Sequence, residues 1–261
     1  MAPAVSIDNA KCVLVIGATS GIGRALALAI SELPTRPTVI AAGRRQDRLK
    51  ELGEKKLETL QLDVTADIET LKKAVDELLA EYPNLDAVIF AAGVQNQQDF
   101  TKDVDLKAHI KEINLNYIAI SCLMTMFIPH FLKLSAEGRP SFIMPITTGL
   151  AFMPSSYVPN YSASKAALRS LTTSIRAQLA ATKVNVVEII PPLVESELHN
   201  AYEPHIAEAL AKLAMPLDEY IKKTIDGLRK GNIHVAVGTA DILLKRFEKE
   251  GLNGPVPMKL D

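Results

Sequence analysis

The chain has 261 residues, 48% hydrophobic and 23% charged, a balance that suits one large packed core and excludes a disordered or fibrous chain. With 29 Lys and Arg against 30 Asp and Glu there is no basic field for gathering nucleic acid by its phosphates. The two cysteines lie far apart and the five histidines match no ligand spacing, so neither a disulfide framework nor a metal site is expected.

Short Val- and Ile-rich runs at 13–16, 38–42, 57–62, 87–91, 141–146, 184–190 and 233–237 alternate with amphipathic stretches at 22–32, 46–52, 68–82, 106–134, 161–181 and 240–250. The alternation predicts βαβ units, and hence an α/β fold: one doubly wound Rossmann-type domain over residues 1–261, a seven-stranded parallel sheet with helices on both faces. The most apolar stretch, 117–128, contains Ser121 and Thr125 and is too short for a membrane span of about 20 residues, so a buried helix and no membrane partner are expected. The first and last residues carry no targeting pattern, which makes the chain cytoplasmic by expectation. Residues 196–231 break the rhythm with helix-like pieces and read as a substrate-covering insertion.

The first strand leads through Gly17-Ala18-Thr19-Ser20-Gly21-Ile22-Gly23 into a helix. Strand, glycine turn and helix in that order suit a dinucleotide, because glycine admits backbone close to a pyrophosphate and the helix N-terminus offers free N–H groups; a purely structural turn is the alternative. At the end of the second strand, where a carboxylate would read an unphosphorylated ribose, stand Arg44 and Arg45. They suit the 2′-phosphate of NADP(H), with Arg44 as the contact and Arg45 or Ser20 in support, unless both are solvated charges at a helix start. Farther on, Tyr161 and Lys165 are four residues apart on one helix face, a pair able to perform acid–base chemistry if the ammonium lowers the phenol pKa. Such spacing also occurs as surface decoration. Ser162 and Lys165 fit S-x-x-K as well, but no S-D-N or K-T-G accompanies them.

Taken together, the glycine turn, the Tyr161/Lys165 pair and the hydroxyl-rich strand end at Thr147-Thr148-Gly149 resemble the short-chain dehydrogenase/reductase superfamily over nearly the whole chain. Thr148-Gly149-Leu150-Ala151-Phe152 and the double proline Pro191-Pro192 are similar to its DltE-like branch. The resemblance implies an oxidoreductase that transfers a hydride between NADP(H) and a small-molecule carbonyl or alcohol. Gly17, Gly21 and Gly23, with Ile22, would form the phosphate turn, Asp63 and Val64 the adenine contacts, and Gly93 the end of an altered N-N-A-G motif. Val194 and Ser196 would belong to the strap that grips the nicotinamide. Tyr161 would be the general acid/base, Lys165 its partner and the ribose ligand, Thr148 the hydroxyl that orients the substrate oxygen, and Asn114 the helix asparagine of the proton relay, with Asn116 as its competitor. His199 and His205 are expected to face solvent. The helix at 106–134 is apolar nearly all round, and the resemblance implies a homodimer or homotetramer built on it. The alternative is a dinucleotide-binding sensor or scaffold with little or no turnover.

Overall fold

A computed structural model describes residues 5–199 and 202–249. In chain order it contains β1 (Cys12–Ile16), α1 (Gly21–Ser31), β2 (Thr38–Gly43), α2 (Gln46–Glu54), β3 (Glu58–Gln61), α3 (Ile68–Glu81), β4 (Ala87–Phe90), α4 (Leu106–Ile113), α5 (Ile120–Ala136), β5 (Ser141–Pro145), α6 (Pro159–Gln178), β6 (Val184–Val186), β7 (Glu188–Ile190), α7 (Pro204–Leu213), α8 (Leu217–Arg229), β8 (His234–Ala236) and α9 (Thr239–Lys249). The expected elements are present with ends displaced by one to three residues; the last residue of the expected final helix, Glu250, lies outside the described residues, as do 1–4 and 251–261 of the termini.

Six parallel strands pair in the order β3-β2-β1-β4-β5-β6, and β7-β8 form a parallel pair of their own. The expected seven-stranded sheet is therefore interrupted, and Pro145 supplies the reason. The Ser141 and Thr147 N–H groups donate across to Lys183 O and Ile189 O, at 3.1 and 2.9 Å, but Pro145 between them has no N–H to donate. The single expected strand at 184–190 splits there, while Val187 N still reaches Ile143 O (2.9 Å) and Ile146 bridges Ile189. The seven strand positions thus persist across a broken ladder.

Both sheet faces are covered, as near-continuous apolar strands require. Leu14, Ile16, Ile40, Val88 and Phe90 face one core with Leu71, Val75, Phe127 and Leu168 from α3, α5 and α6. Their neighbours Val13, Val15, Val39 and Ile89 face the other, with Leu26 and Ile30 of α1 and Tyr220 and Leu228 of α8. Within the expected covering insertion at 196–231, α8 packs into this second core, with Tyr220 and Thr224 fully buried. The expected helix at 106–134 runs over Leu106–Ala136 with a π-helical turn, Asn114–Ala119, between α4 and α5. It is the one described helix long and apolar enough to cross a membrane, yet Leu123, Phe127 and Phe131 are buried in the core while Ile110 and Ile118 are exposed.

Candidate active site

The glycine turn sits at the C-terminal end of β1, between β2 and β4, where the crossovers to the two faces part. Gly17 has φ 91°, and a Cβ there would lie 2.5 Å from Ala92 N, so only glycine fits. Gly23 is pressed against the Gly17 carbonyl, whereas Gly21, at φ 49°, meets only Ser196, whose Cβ would stand 3.3 Å from an added Cβ. Ser20 is the N-cap of α1 but its hydroxyl makes no cap bond, leaving the first N–H groups of the helix to an incoming anion. These features fit a dinucleotide pyrophosphate.

Beside the turn stands a cluster of guanidinium groups. Arg45 donates through Nε to Thr19 Oγ1 (3.0 Å) and through its terminal nitrogen to Ser20 Oγ. Arg48, one turn into α2, donates to Thr19 O (3.2 Å). Both arginines also hold Glu197, at 3.2 Å from Arg45 and 2.6 Å from Arg48. Arg44 is exposed and near Asp63: burial pulls that carboxyl up, but Thr65 through its N–H and hydroxyl, then the Arg44 and Lys111 charges, bring it below its ordinary value. Val64 is buried in the core. The sequence reading missed Arg48, although its place three residues after Arg45 puts it on the same helical face.

Tyr161 and Lys165 lie in the first turns of α6, which starts at Pro159 with a fixed φ suited to that position. They are only 7% and 4% exposed, and the ammonium stands 5.7 Å from the Tyr161 ring centroid. Lys165 Nζ donates to Ile146 O (2.8 Å) at the end of β5. The expected depression of the phenol pKa is absent from this structure: burial first, then the Tyr202 and Glu112 charges, push Tyr161 up. Burial also brings Lys165 down from 10.5 to about 8.

The two candidate asparagines differ in burial. Asn114 is exposed, while Asn116 is fully buried, accepting from Val94 N (2.9 Å) and donating to Val94 O (2.8 Å) and Ser164 Oγ (3.2 Å). Both asparagines lie in the π-helical turn Asn114–Ala119, which turns the first of them outward and the second into the core. A Cβ on Gly93 would stand 3.5 Å from Asn116 Oδ1 and 3.7 Å from Lys165 Nζ, which brings Gly93, Asn116 and Lys165 into one neighbourhood.

Thr148 is 7% exposed and begins the short 3-10 turn Gly149–Ala151, which packs on α6; its hydroxyl accepts from Leu150 N (3.3 Å). Its neighbour Thr147 donates to Glu188 (2.8 Å), a buried carboxylate that also meets Arg169 (2.6 Å) and His234 (3.1 Å). Burial opposes ionisation of Glu188, yet the His234, Arg169 and Thr147 contacts hold it below its usual value. Arg169 in turn stacks on Phe152, 4.2 Å from the ring centroid. A second buried carboxylate, Glu112, accepts from Asn96 N and from the side chain of Asn160, both at 2.8 Å, and so ties the start of α6 to α4. Sequence spacing gave no signal for either carboxylate, because their partners lie 16 to 48 residues away on other elements.

Val194 is buried and bridges Met215, and Ser196 lies against the glycine turn. From the segment beyond, Tyr202 donates to Gln95 Oε1 (2.6 Å) near Tyr161. His199 does not face solvent as expected but packs against Tyr202, ring centroids 5.4 Å apart, and its pKa is lowered by burial; His205 is exposed.

The family model for short chain dehydrogenases matches residues 11–207. The oxidoreductase DltE of Bacillus subtilis (strain 168) is 36% identical over 222 residues, 84% of each chain. Among solved structures, a short chain dehydrogenase from Burkholderia cenocepacia in complex with NADP superposes with a TM-score of 0.75 at 23% identity, covering 94% of this chain and 96% of that one. A short-chain dehydrogenase from Sphingobium yanoikuyae in complex with NADPH gives 0.75 at 22% identity, covering 92% and 94%.

Proposed function

The chain belongs to the short-chain dehydrogenase family of oxidoreductases, and on that premise we propose that it is an NADP(H)-dependent enzyme interconverting a carbonyl and an alcohol. The observation that carries the reading is the buried Tyr161/Lys165 pair beside a glycine turn that fits a pyrophosphate. When bound, the nicotinamide supplies the hydride. This chain supplies the rest. Tyr161 gives a proton to the carbonyl oxygen, its raised pKa keeping the phenol protonated until that oxygen becomes basic. Thr148 orients the same oxygen with its hydroxyl. Lys165, anchored on Ile146 O, places a positive charge beside the phenol and holds the nicotinamide ribose. The relay position falls to Asn116 in place of Asn114, because Asn116 is the buried one.

Gly17, Ser20, Gly21, Ile22 and Gly23 would receive the pyrophosphate, Asp63 and Val64 the adenine, and Gly93, Val194 and Ser196 the nicotinamide half. Arg45 and Arg48, with Arg44 alongside, favour the 2′-phosphate of NADP(H), and the NADP and NADPH complexes among the structural neighbours agree with that choice. The insertion at 196–231 would supply the cover over the substrate, its described part before α8 lying at 196–199 and 202–216. The exposed Ile110 and Ile118 favour a homodimer or homotetramer through the helix at Leu106–Ala136, which light scattering at micromolar concentration would test, a monomer counting against it. A panel of carbonyl compounds followed by NADPH absorbance tests the activity itself: turnover is expected, and NADPH binding without oxidation across the panel would favour a sensor.

A further inference from the structure

Glu197 is a lone carboxylate among guanidinium groups, and it comes from the far end of the chain. It sits in the short turn Glu197–His199 just after the strap, more than a hundred residues from α2, yet both its oxygens are engaged by Arg48 and one also by Arg45. The same two arginines grip Thr19 and Ser20, the residues of the phosphate turn. Beside it, Ser196 lies against Gly21. Ser196 and Glu197 thus reach the phosphate turn and α2, and the Glu197 carboxylate occupies guanidinium groups that could otherwise take a phosphate.

We propose that Glu197 is a built-in competitor for the 2′-phosphate of NADP(H) at Arg45 and Arg48, and that it sets the strength of the cofactor preference. The inference rests on the reading of those arginines as the 2′-phosphate site. A carboxylate brings one charge and two oxygens, whereas a phosphate monoester brings nearly two charges and three oxygens, so the phosphate wins the arginines but must first displace the carboxylate. The displacement is feasible because the pair is wet: the side chains of Arg45, Arg48 and Glu197 are 42, 30 and 43% exposed, where an ion pair contributes little. A cofactor with a free 2′-hydroxyl leaves the Glu197 contacts standing. Glu197 therefore weakens NADP(H) selectively and narrows the preference that the arginines alone would give.

The test is a set of direct binding titrations of the full chain with NADPH and with NADH, and with adenosine 2′,5′-bisphosphate against adenosine 5′-monophosphate as probes that lack nicotinamide. Glu197→Gln keeps the shape and removes the charge on an exposed residue. It should tighten NADPH and the bisphosphate by roughly three- to thirtyfold while NADH and the monophosphate change less than twofold. Unchanged NADPH affinity in Glu197→Gln, in a chain that still prefers NADPH and loses that preference in Arg45→Ala, would overturn the competitor and leave the cofactor reading intact. Equal NADPH and NADH affinity in the unmodified chain, in Arg45→Ala and in Glu197→Gln would overturn both.

Discussion

The phosphate end and the catalytic end of the crevice handle charge in opposite ways. At the proposed phosphate end Arg44, Arg45, Arg48 and Glu197 are partly or largely exposed, so water competes for their contacts. At the catalytic end Tyr161, Lys165 and Asn116 are buried, and each ionisable group is displaced from its ordinary pKa by the cost of leaving water. Exposed charges can select between ligands by modest factors. Buried ones can change the rate of a reaction by orders of magnitude, because a low dielectric leaves their fields unscreened.

The largest effect should come from the buried end. Lys165→Ala removes both the charge beside the phenol and the ribose contact, so turnover should fall by about 10²–10⁴-fold and NADPH affinity should weaken as well; a variant that loses neither would erase the contrast between the two ends. Next, Glu188→Ala removes the buried carboxylate shared by Thr147, Arg169 and His234 and should cost about 1–3 kcal/mol in denaturant unfolding. A loss under about 1 kcal/mol would mean that this network does not hold the β5 end in place. At the exposed end, Arg45→Ala should narrow NADP(H) preference by roughly tenfold without changing kcat, and a drop in kcat instead would merge the two regions.

A pH profile sharpens the comparison further. Tyr161 is raised and stays protonated, whereas Lys165 is lowered to about 8. The kcat/KM for reduction should therefore fall as pH rises through about 8, and Lys165→Arg, which keeps its charge, should lack that limb. The same shift makes stability rise with pH between about 8 and 9, because there the unfolded chain still binds the proton that the native lysine has released; above about 9 the buried Cys12 thiol, raised to about 12, opposes it. The smallest effect is reserved for Asn114→Ala, expected within about twofold of the unmodified rate, beside a clear loss for Asn116→Ala. The reverse order would restore Asn114 to the relay.

How much of this was legible follows the same division. The strands could be read because burial on both faces makes them continuous apolar runs, and the glycine turn because Gly17 and Gly23 admit no side chain. Tyr161 and Lys165 could be read because a four-residue spacing puts them on one helix face, and Arg44 and Arg45 because they directly follow the second strand. What escaped depended on the third dimension. Pro145 reads as one more apolar residue until its missing N–H faces Val187 in a ladder. Asn114 and Asn116 both fit the motif as sequence, and only their burial tells them apart. Glu197, Glu112 and Glu188 take their meaning from groups 16 to 152 positions away, which no local pattern reveals.

The proton donor is the centre of the account, and Tyr161→Phe tests it most directly, since the change removes one oxygen and leaves the buried ring. The rate with the best carbonyl substrate should be measured beside an NADPH titration of the same variant. The account predicts a rate lower by about 10²–10⁴-fold with NADPH affinity nearly unchanged. A variant that keeps more than about a tenth of the rate would show that the phenol is not the proton donor.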